Sequence, residues 1–149
     1  MRAVVQRVSQ AGVDTDGARV GEIGPGLLVY LGVGRDDTAS DLAYMVNKIR
    51  HLRVFNDAEG KMNLNVEQVG GSCLVVSAFT TLGDARKGHR PAYSAAAEPE
   101  MAEQMYDQFC EQLRATGLTV ATGRFRAKMA VDSVNDGPIC VLIDSHKTF

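Results

Sequence analysis

The chain has 149 residues, of which 45% are hydrophobic and 23% charged, and its formal net charge is −2. This size and balance predict one soluble globular domain, residues 1–149, with a core of its own. They exclude a protein that coats long nucleic acids, because such binding needs a large excess of Lys and Arg on phosphates. A local basic site remains compatible with the composition.

The amino-terminal stretch MRAVVQRVSQAGV carries Arg2 and Arg7 inside its apolar run, and no apolar segment approaches the roughly 18 residues of a membrane span. We therefore expect a cytoplasmic protein that does not enter a membrane. The three cysteines, Cys73, Cys110 and Cys140, lie far apart among apolar residues, which predicts buried free thiols. The histidines form no metal-ligand pattern, so metal catalysis is not expected.

The first third of the chain alternates apolar segments with turn formers. Asp16-Gly17 and the segment 24–26 separate AVVQRVSQAGVDT, ARVGEIG and GLLVYLGVG, which predicts three mostly antiparallel strands. A helix from about Thr38 to His51 follows, because Thr38 and Asp41 have the spacing of a capping box and apolar residues recur at helical intervals.

Later segments predict further strands and a second helix. RVFND predicts a short strand, and the apolar run from Ser72 to Thr80 predicts a central one. The polar, glycine-containing segment 81–97 predicts a long functional loop. Pro99 suits the first turn of a helix that ends at Gly117.

Three strands are predicted near the end of the chain, at 118–122, 128–134 and 139–143. The order of elements is strands, helix, strands, helix, strands. This order predicts an α/β or α+β sheet protein with two main helices forming a layer on one side.

Two hydroxyl residues, Ser77 and Thr80, lie at the end of the predicted central strand. A nucleophile needs a positioned base, and no His, Lys or carboxylate follows before Asp84, so bonding of these hydroxyls to backbone is the favoured interpretation. Cys140 is a weaker candidate nucleophile, because its apolar neighbours predict burial and burial makes a thiol inert.

The long loop gathers four basic residues, Arg86, Lys87, His89 and Arg90, followed by Tyr93. The cations suit a few phosphates at a nucleic acid end, and the ring suits stacking on a base. A solvated surface loop is the simpler interpretation of the same charges.

Gly137-Pro138 stands in a turn-forming segment directly before the apolar run 139–143. An ordinary trans turn is the interpretation that local statistics favour, because only about 5–6% of X–Pro bonds are cis in folded proteins. The alternative is a constrained backbone that a ligand contacts.

Seven short motifs occur in order along nearly the whole chain. They are QRV (6–8), GEIGPGLLVYLGV (21–33), DAEGKMNLNV (57–66), LVVSAFT (74–80), RP (90–91), TGRF (122–125) and VNDGPI (134–139). Together they resemble the D-aminoacyl-tRNA deacylases, also called D-tyrosyl-tRNA deacylases.

The resemblance implies a homodimeric α/β enzyme that hydrolyses the ester between a D-amino acid, or glycine, and the 3′-terminal ribose of tRNA. It implies no metal or organic cofactor. Gly137-Pro138 matches a family segment that is cis and reaches across the dimer into the partner's pocket. Ser77, Phe79 and Thr80 match residues lining that pocket, and Arg7 matches an arginine that locks the Gly-Pro segment.

In such a pocket the carbonyl oxygens of Gly137 and Pro138 accept hydrogen bonds from the substrate ammonium, and backbone excludes the side chain of an L-residue. Other residues are expected to contact the substrate: Arg7, Ala78, Arg86, Lys87, Arg90 and Asn135. An aminoacyl ester is already reactive, so positioning, the neighbouring 2′-hydroxyl and backbone N–H groups can support hydrolysis without a side-chain nucleophile.

Two positions depart from the family pattern. Ala78 stands where the family usually has Gln, and Ile139-Cys140 stands where it usually has Val-Thr. The lost amide keeps open a second function, a catalytically weak paralogue that binds tRNA acceptor ends without turnover. A third, a Cys140 or Thr80 hydrolase acting on another ester, lacks an identifiable base.

Overall fold

The computed structural model describes residues 1–149. Its helices are α1 (Ala39–Arg50), α2 (Pro99–Ala115) and a short 3-10 helix, Phe79–Leu82. Its strands are β1 (Arg2–Thr15), β2 (Ala18–Ile23), β3 (Gly26–Gly32), β4 (Phe55–Asn56), β5 (Met62–Leu64), β6 (Ser72–Ser77), β7 (Thr119–Thr122) and β8 (Met129–Asp144).

Six strands form one mixed sheet in the order β2-β1-β3-β6-β7, and β8 pairs with β1. β1 is antiparallel to β2, β3 and β8, whereas β3 pairs with β6, and β6 with β7, in parallel. The sheet curls into a nearly closed barrel, with β2 so near β7 that a Cβ on Gly21 would lie 2.6 Å from the Thr122 carbonyl oxygen. β4 and β5 form a separate antiparallel pair.

The larger hydrophobic core lies between one face of the sheet and the two helices. It includes Leu42, Met45 and Ile49 from α1, and Phe109 and Leu113 from α2. A smaller cluster is made by strand residues alone. The predicted α/β fold, a sheet covered by a layer of two main helices, is confirmed.

Both predicted helices are present at their expected positions. α1 begins after Thr38, whose backbone N–H donates to the Asp41 carboxylate at 2.9 Å, and ends at Arg50. α2 begins at Pro99, where a missing N–H costs nothing, and its last helical residue is Ala115. The apolar spacing was a sufficient signal because each helix buries one face.

The prediction that a single strand runs from Ser72 to Thr80 is wrong at its end. β6 stops at Ser77, and Phe79 and Thr80 belong to the 3-10 helix. The reason is the length of the neighbouring strand: Ser77 pairs with Leu31, and β3 has only one residue left beyond that pair. Without a partner, the backbone turns.

The two strands predicted at 128–134 and 139–143 are one strand, β8, interrupted by a bulge. The prediction that its last part is buried is also wrong, since Leu142 is 60% exposed and Cys140 is exposed. β8 pairs only with β1, so its other edge is open. Alternate side chains of this edge strand therefore point away from the core.

Candidate functional site

The turn after β6 has its backbone held by three hydrogen bonds. The Ala78 N–H donates to the Leu31 carbonyl at 2.8 Å, and the Ala78 carbonyl accepts from both the N–H and the hydroxyl of Thr81, at 3.1 and 3.0 Å. Phe79 and Thr80 project from this turn with exposed side chains. The turn therefore presents a fixed backbone beside two exposed residues.

An open cavity of about 520 Å³ lies beside this turn. It is lined by Leu31, Val33, Ser77, Ala78, Phe79, Tyr93, Ala96, Ala97, Glu98, Pro99, Ala102, Tyr106, Phe125, Arg126, Ala127 and Met129. Most of these side chains are apolar, and many are small. A concave apolar surface of this size suits a flat ring system with few polar contacts.

Two aromatic pairs contribute to the walls. Phe79 and Tyr93 meet edge to face, with ring centroids 5.0 Å apart and an interplanar angle of 73°. Tyr106 and Phe125 are tilted, with centroids 6.0 Å apart. Phe79 is 57% exposed and Tyr93 37% exposed, so each has free ring surface on which a base could stack.

Tyr106 lines the cavity but is not suited to act as a general acid or base. Its hydroxyl donates to the buried Val75 carbonyl at 2.8 Å, and burial raises its pKa far above the usual range. The phenol therefore stays neutral at physiological pH.

Ser77 and Thr80, the two predicted pocket hydroxyls, differ in position. Ser77 lines the cavity, whereas Thr80 lies outside its lining on the exposed side of the turn. Neither hydroxyl is hydrogen-bonded to a His, a Lys or a carboxylate. Within one chain there is thus no activated side-chain nucleophile at this cavity.

Gly137-Pro138 forms the exposed tip of the bulge in β8, and the bond between the two residues is cis. Register with β1 is kept at Asn135 and Cys140 and lost between them. Gly137 has φ of 129°, and a Cβ there would lie 2.9 Å from the Ile139 backbone nitrogen. Only glycine fits this backbone.

Side chains from both strands clamp the bulge. Arg7, which is 8% exposed, donates from Nε to the Asp136 carbonyl at 3.2 Å and from a terminal nitrogen to the Val54 carbonyl at 2.7 Å. The same Nε lies 3.0 Å from the Asp136 carboxylate. Asn135 donates from Nδ2 to the carbonyls of Arg7 and Ile139, both at 2.9 Å.

Arg7 was expected to lock the Gly-Pro segment and to contact substrate, and Asn135 to contact substrate. In this structure both side chains hydrogen-bond to the backbone in and around the bulge. The predicted site residues therefore fall into two groups within one chain. Ser77, Ala78 and Phe79 line the cavity, whereas Gly137-Pro138 belongs to the bulge and contributes nothing to the cavity lining.

Only some of the cations in the predicted basic loop are free of ion pairs within the chain. Arg86 is bonded to Asp84 through two contacts, at 2.9 and 2.6 Å, and this pairing holds the pKa of the Asp84 carboxyl well below its usual range. Lys87 and Arg90 are exposed and make no ion pair. The unpaired cations of this loop are therefore Lys87 and Arg90.

The expectation of three buried thiols is confirmed for two cysteines and wrong for the third. Burial raises the pKa of Cys73 to about 12 and that of Cys110 to about 11, which makes both inert. Cys140 is exposed on the edge strand, where its nearest polar contact is the Gln6 amide at 4.0 Å. No histidine contacts it.

Asp37, Asp41 and His146 bring metal-ligand atoms within 4.8 Å of one another. The buried Met1 amino group donates to Asp37, and His146 Nε2 lies 2.8 Å from the same carboxylate. Burial alone would raise the pKa of Asp41, but hydrogen bonds from hydroxyl and backbone donors lower it to about 2. The cluster is satisfied by these contacts and ties β1 to the start of α1.

Sequence reasoning missed the far wall of the cavity, made by Ala102, Tyr106, Phe125 and Arg126. A signal exists for two of them: Ala102 and Tyr106 are four residues apart and so share one face of α2. No signal in the local sequence indicates that the turn after β7 lies beside this helix face.

No helix has the length and apolarity needed to cross a membrane.

Comparison with known proteins gives consistent results over the full chain. A family profile described as D-Tyr-tRNA(Tyr) deacylase matches residues 4–144. Curated relatives include the D-aminoacyl-tRNA deacylases of Anaeromyxobacter dehalogenans, 58% identical, and Syntrophotalea carbinolica, 57% identical, each with 100% of both chains covered.

The solved structures that share the fold include the following two. One, named "c-Myc DNA Unwinding Element Binding Protein", has a TM-score of 0.91 and 41% identity, covering 97% of this chain and 98% of that one. The other, described as a probable eukaryotic D-amino acid tRNA deacylase, has a TM-score of 0.82 and 17% identity, covering 95% and 97%. At that identity the second likeness concerns the fold alone.

Proposed function

The chain belongs to the D-Tyr-tRNA(Tyr) deacylase family and is a D-aminoacyl-tRNA deacylase, and we propose that it proofreads chirality with backbone groups, as a cytoplasmic homodimer. Its substrates are D-aminoacyl and glycyl esters of the 3′-terminal ribose of tRNA. The observation that carries the proposal is the clamped, exposed Gly137-Pro138 bulge in a molecule whose cavity has no activated side-chain nucleophile.

The cavity takes the terminal adenosine. Its apolar lining accommodates a base, and the exposed faces of Phe79 and Tyr93 offer stacking surface. The ester joined to the ribose then lies near the turn that carries Ala78 and Thr80. The cavity thereby fixes the nucleotide and leaves the amino acid outside, toward a second chain.

The second chain supplies the chirality filter. Carbonyl oxygens of its Gly137 and Pro138 accept hydrogen bonds from the substrate ammonium, which leaves one direction for the side chain. An L-residue would then meet backbone, which cannot swing aside, whereas glycine has nothing to exclude. Support for such a dimer comes from the open edge of β8, which carries exposed Val134 (49%) and Leu142 (60%).

Hydrolysis uses water as the nucleophile. Water attacks the ester carbonyl, the C–O bond to the ribose breaks, and the released ribose oxygen takes a proton while the amino acid leaves as its acid. The neighbouring 2′-hydroxyl assists the attacking water. Backbone N–H groups at the start of the 3-10 helix, those of Phe79 and Thr80, stabilise the developing oxyanion.

Binding of the acceptor strand uses the loop cations that are not engaged elsewhere. Lys87 and Arg90 are free to contact phosphates, whereas Arg86 is held by Asp84. Since the chain carries a net charge of −2, such contacts are local and the RNA footprint is small.

The test is to incubate the protein with matched D-aminoacyl, L-aminoacyl and glycyl tRNAs and to follow free amino acid. We expect loss of the D and glycyl esters with the L ester spared. Cleavage of all three esters at similar rates would contradict the chirality filter. Replacing Cys140 by Ala should leave turnover unchanged; loss of turnover would instead indicate a thiol enzyme.

A second function is a tRNA-end binding protein with weak catalysis. It is favoured by Ala78, which lines the cavity and offers no polar side-chain atom to substrate. Retention of all three esters together with measurable binding of tRNA would support this function over the first.

A further inference from the structure

A four-residue turn at the edge of the cavity holds Arg126 in a rare backbone conformation. The Ala127 N–H donates to the Arg124 carbonyl at 3.2 Å, and Arg126, the third residue of the turn, has φ of 60°. Turns with positive φ at this position favour Gly or Asn, and another residue in the left-handed region costs on the order of 1 kcal/mol. Arginine is therefore present here despite a backbone that favours glycine.

The side chain of Arg126 has no partner inside the molecule. It lines the cavity, it is exposed, and it makes no ion pair or hydrogen bond. The cations Arg124 and Lys128 on either side of it are exposed and unpaired as well. By contrast, the exposed or half-exposed Arg19, Arg50 and Arg86 each pair with a carboxylate.

One carboxylate lines the same cavity, that of Glu98 before α2. It is exposed, and no ion pair within 4 Å joins it to Arg126. The turn after β7 thus presents three positive charges without a counter-charge of its own. An anion that approaches the cavity from this side meets a favourable field.

We propose that Arg126 binds the phosphodiester that joins the last two nucleotides of the tRNA acceptor strand, with Arg124 and Lys128 strengthening the local field. This rests on the proposed function, in which the terminal adenosine occupies the cavity. The phosphate that links this nucleotide to the preceding one must lie at the edge of the cavity. Arg126 is the only cation in the cavity lining. A guanidinium suits it because its planar donors match two phosphate oxygens.

This contact is remote from the ester bond, so it is present equally in the ground state and the transition state. Arg126 is accordingly a substrate-binding residue that affects KM and leaves kcat unchanged. Its effect also requires a phosphodiester, so a ligand that consists of adenosine alone should not sense it.

The experiment compares two probes, a short single-stranded oligoribonucleotide ending in 3′-adenosine and free adenosine, by isothermal titration at several salt concentrations. For Arg126→Gly we expect roughly fivefold weaker binding of the oligonucleotide. The slope of log affinity against log salt should fall by roughly 0.7. Adenosine binding should not change, and the melting temperature should be equal or higher because glycine relieves the positive φ.

A matched control is Lys147→Gly. Lys147 also has positive φ, 53°, and also carries one exposed charge, but its ammonium lies 5.9 Å from the Tyr44 ring and outside the cavity lining. The variant makes the same change in charge and the same change in backbone freedom. We expect it to bind the oligonucleotide as the unaltered protein does.

Unchanged affinity of Arg126→Gly for the oligonucleotide would overturn the proposal. Equal losses of affinity in Arg126→Gly and Lys147→Gly would also overturn it. So would an oligonucleotide that binds the unaltered protein no more tightly than adenosine does. These outcomes are independent of turnover. A protein that shows the expected binding differences but hydrolyses no D-aminoacyl-tRNA would contradict the proposed function and leave the role of Arg126 standing.

Discussion

The Gly137-Pro138 bulge is held by polar side chains, whereas the cavity is bounded by small residues and aromatic rings with few polar contacts. Arg7 and Asn135 fix the bulge through hydrogen bonds of 2.7 to 3.2 Å. In the cavity wall, Phe79 and Tyr93 meet edge to face. This difference fits the proposed division of labour, in which the fixed bulge excludes a side chain and the apolar surface receives a flat base.

The largest effect expected from this comparison is that of Gly137→Ala. The added Cβ would lie 2.7 Å from the Ile139 Cγ1 and 2.9 Å from the Ile139 nitrogen, so the bulge must move. We expect kcat on D-aminoacyl-tRNA to fall on the order of a hundredfold, the cost of misplacing a positioning group, with the far-UV circular dichroism unchanged.

Gly60→Ala is the control for Gly137→Ala. Gly60 also has positive φ, 79°, but a Cβ there has no atom within 4 Å. It should lower the melting temperature slightly and leave turnover unaffected. Equal activity in the two alanine variants would show that the bulge is not a rigid filter.

An intermediate effect is expected for Phe79→Ala. The ring is 57% exposed and meets Tyr93 edge to face, so its removal costs the protein little stability. Loss of one base-stacking surface should raise KM about tenfold with kcat nearly constant. Phe149→Ala, which removes a 65% exposed ring outside the cavity lining, serves as the control in the same steady-state assay.

The smallest effect is expected for Ala78→Gln. An amide at the cavity wall adds one donor and one acceptor for the adenosine, worth roughly threefold in kcat/KM. Ala97→Gln places the same amide elsewhere in the cavity lining, two residues before α2, and should give no gain. A loss of activity in Ala78→Gln would show that the cavity has no room for the longer side chain and is less adaptable than we infer.

Sequence alone predicted the elements whose signals are local. α1 and α2 were predicted because apolar residues such as Leu42, Met45 and Phe109 recur at helical spacing and each helix buries one face. The end of β6 was misjudged at Ser77 because it depends on where β3 stops. That limit is a property of a neighbouring strand and leaves no mark in the run SCLVVSAFT itself.

The residues of the candidate site that could be predicted are those that belong to short sequence motifs. Ser77, Ala78 and Phe79 were predicted from a motif and line the cavity, while Tyr106 and Phe125 were missed because tertiary packing alone brings them together. The exposure of Cys140 was misjudged for a similar reason: an apolar run in an edge strand has one solvated side. The roles of Arg7 and Asn135 as a clamp depend on the pairing of β1 with β8.

The pairing of β1 with β8 has a consequence for how the chain folds. Arg2 lies opposite Asp144, so the first and last strands are partners across almost the whole sequence. Contacts between residues so distant in sequence carry a high loop-closure entropy and are associated with slow folding. The clamp formed by Arg7 on the bulge is therefore completed only after β8 has been synthesised, which makes the proposed chirality filter one of the last features to form during synthesis.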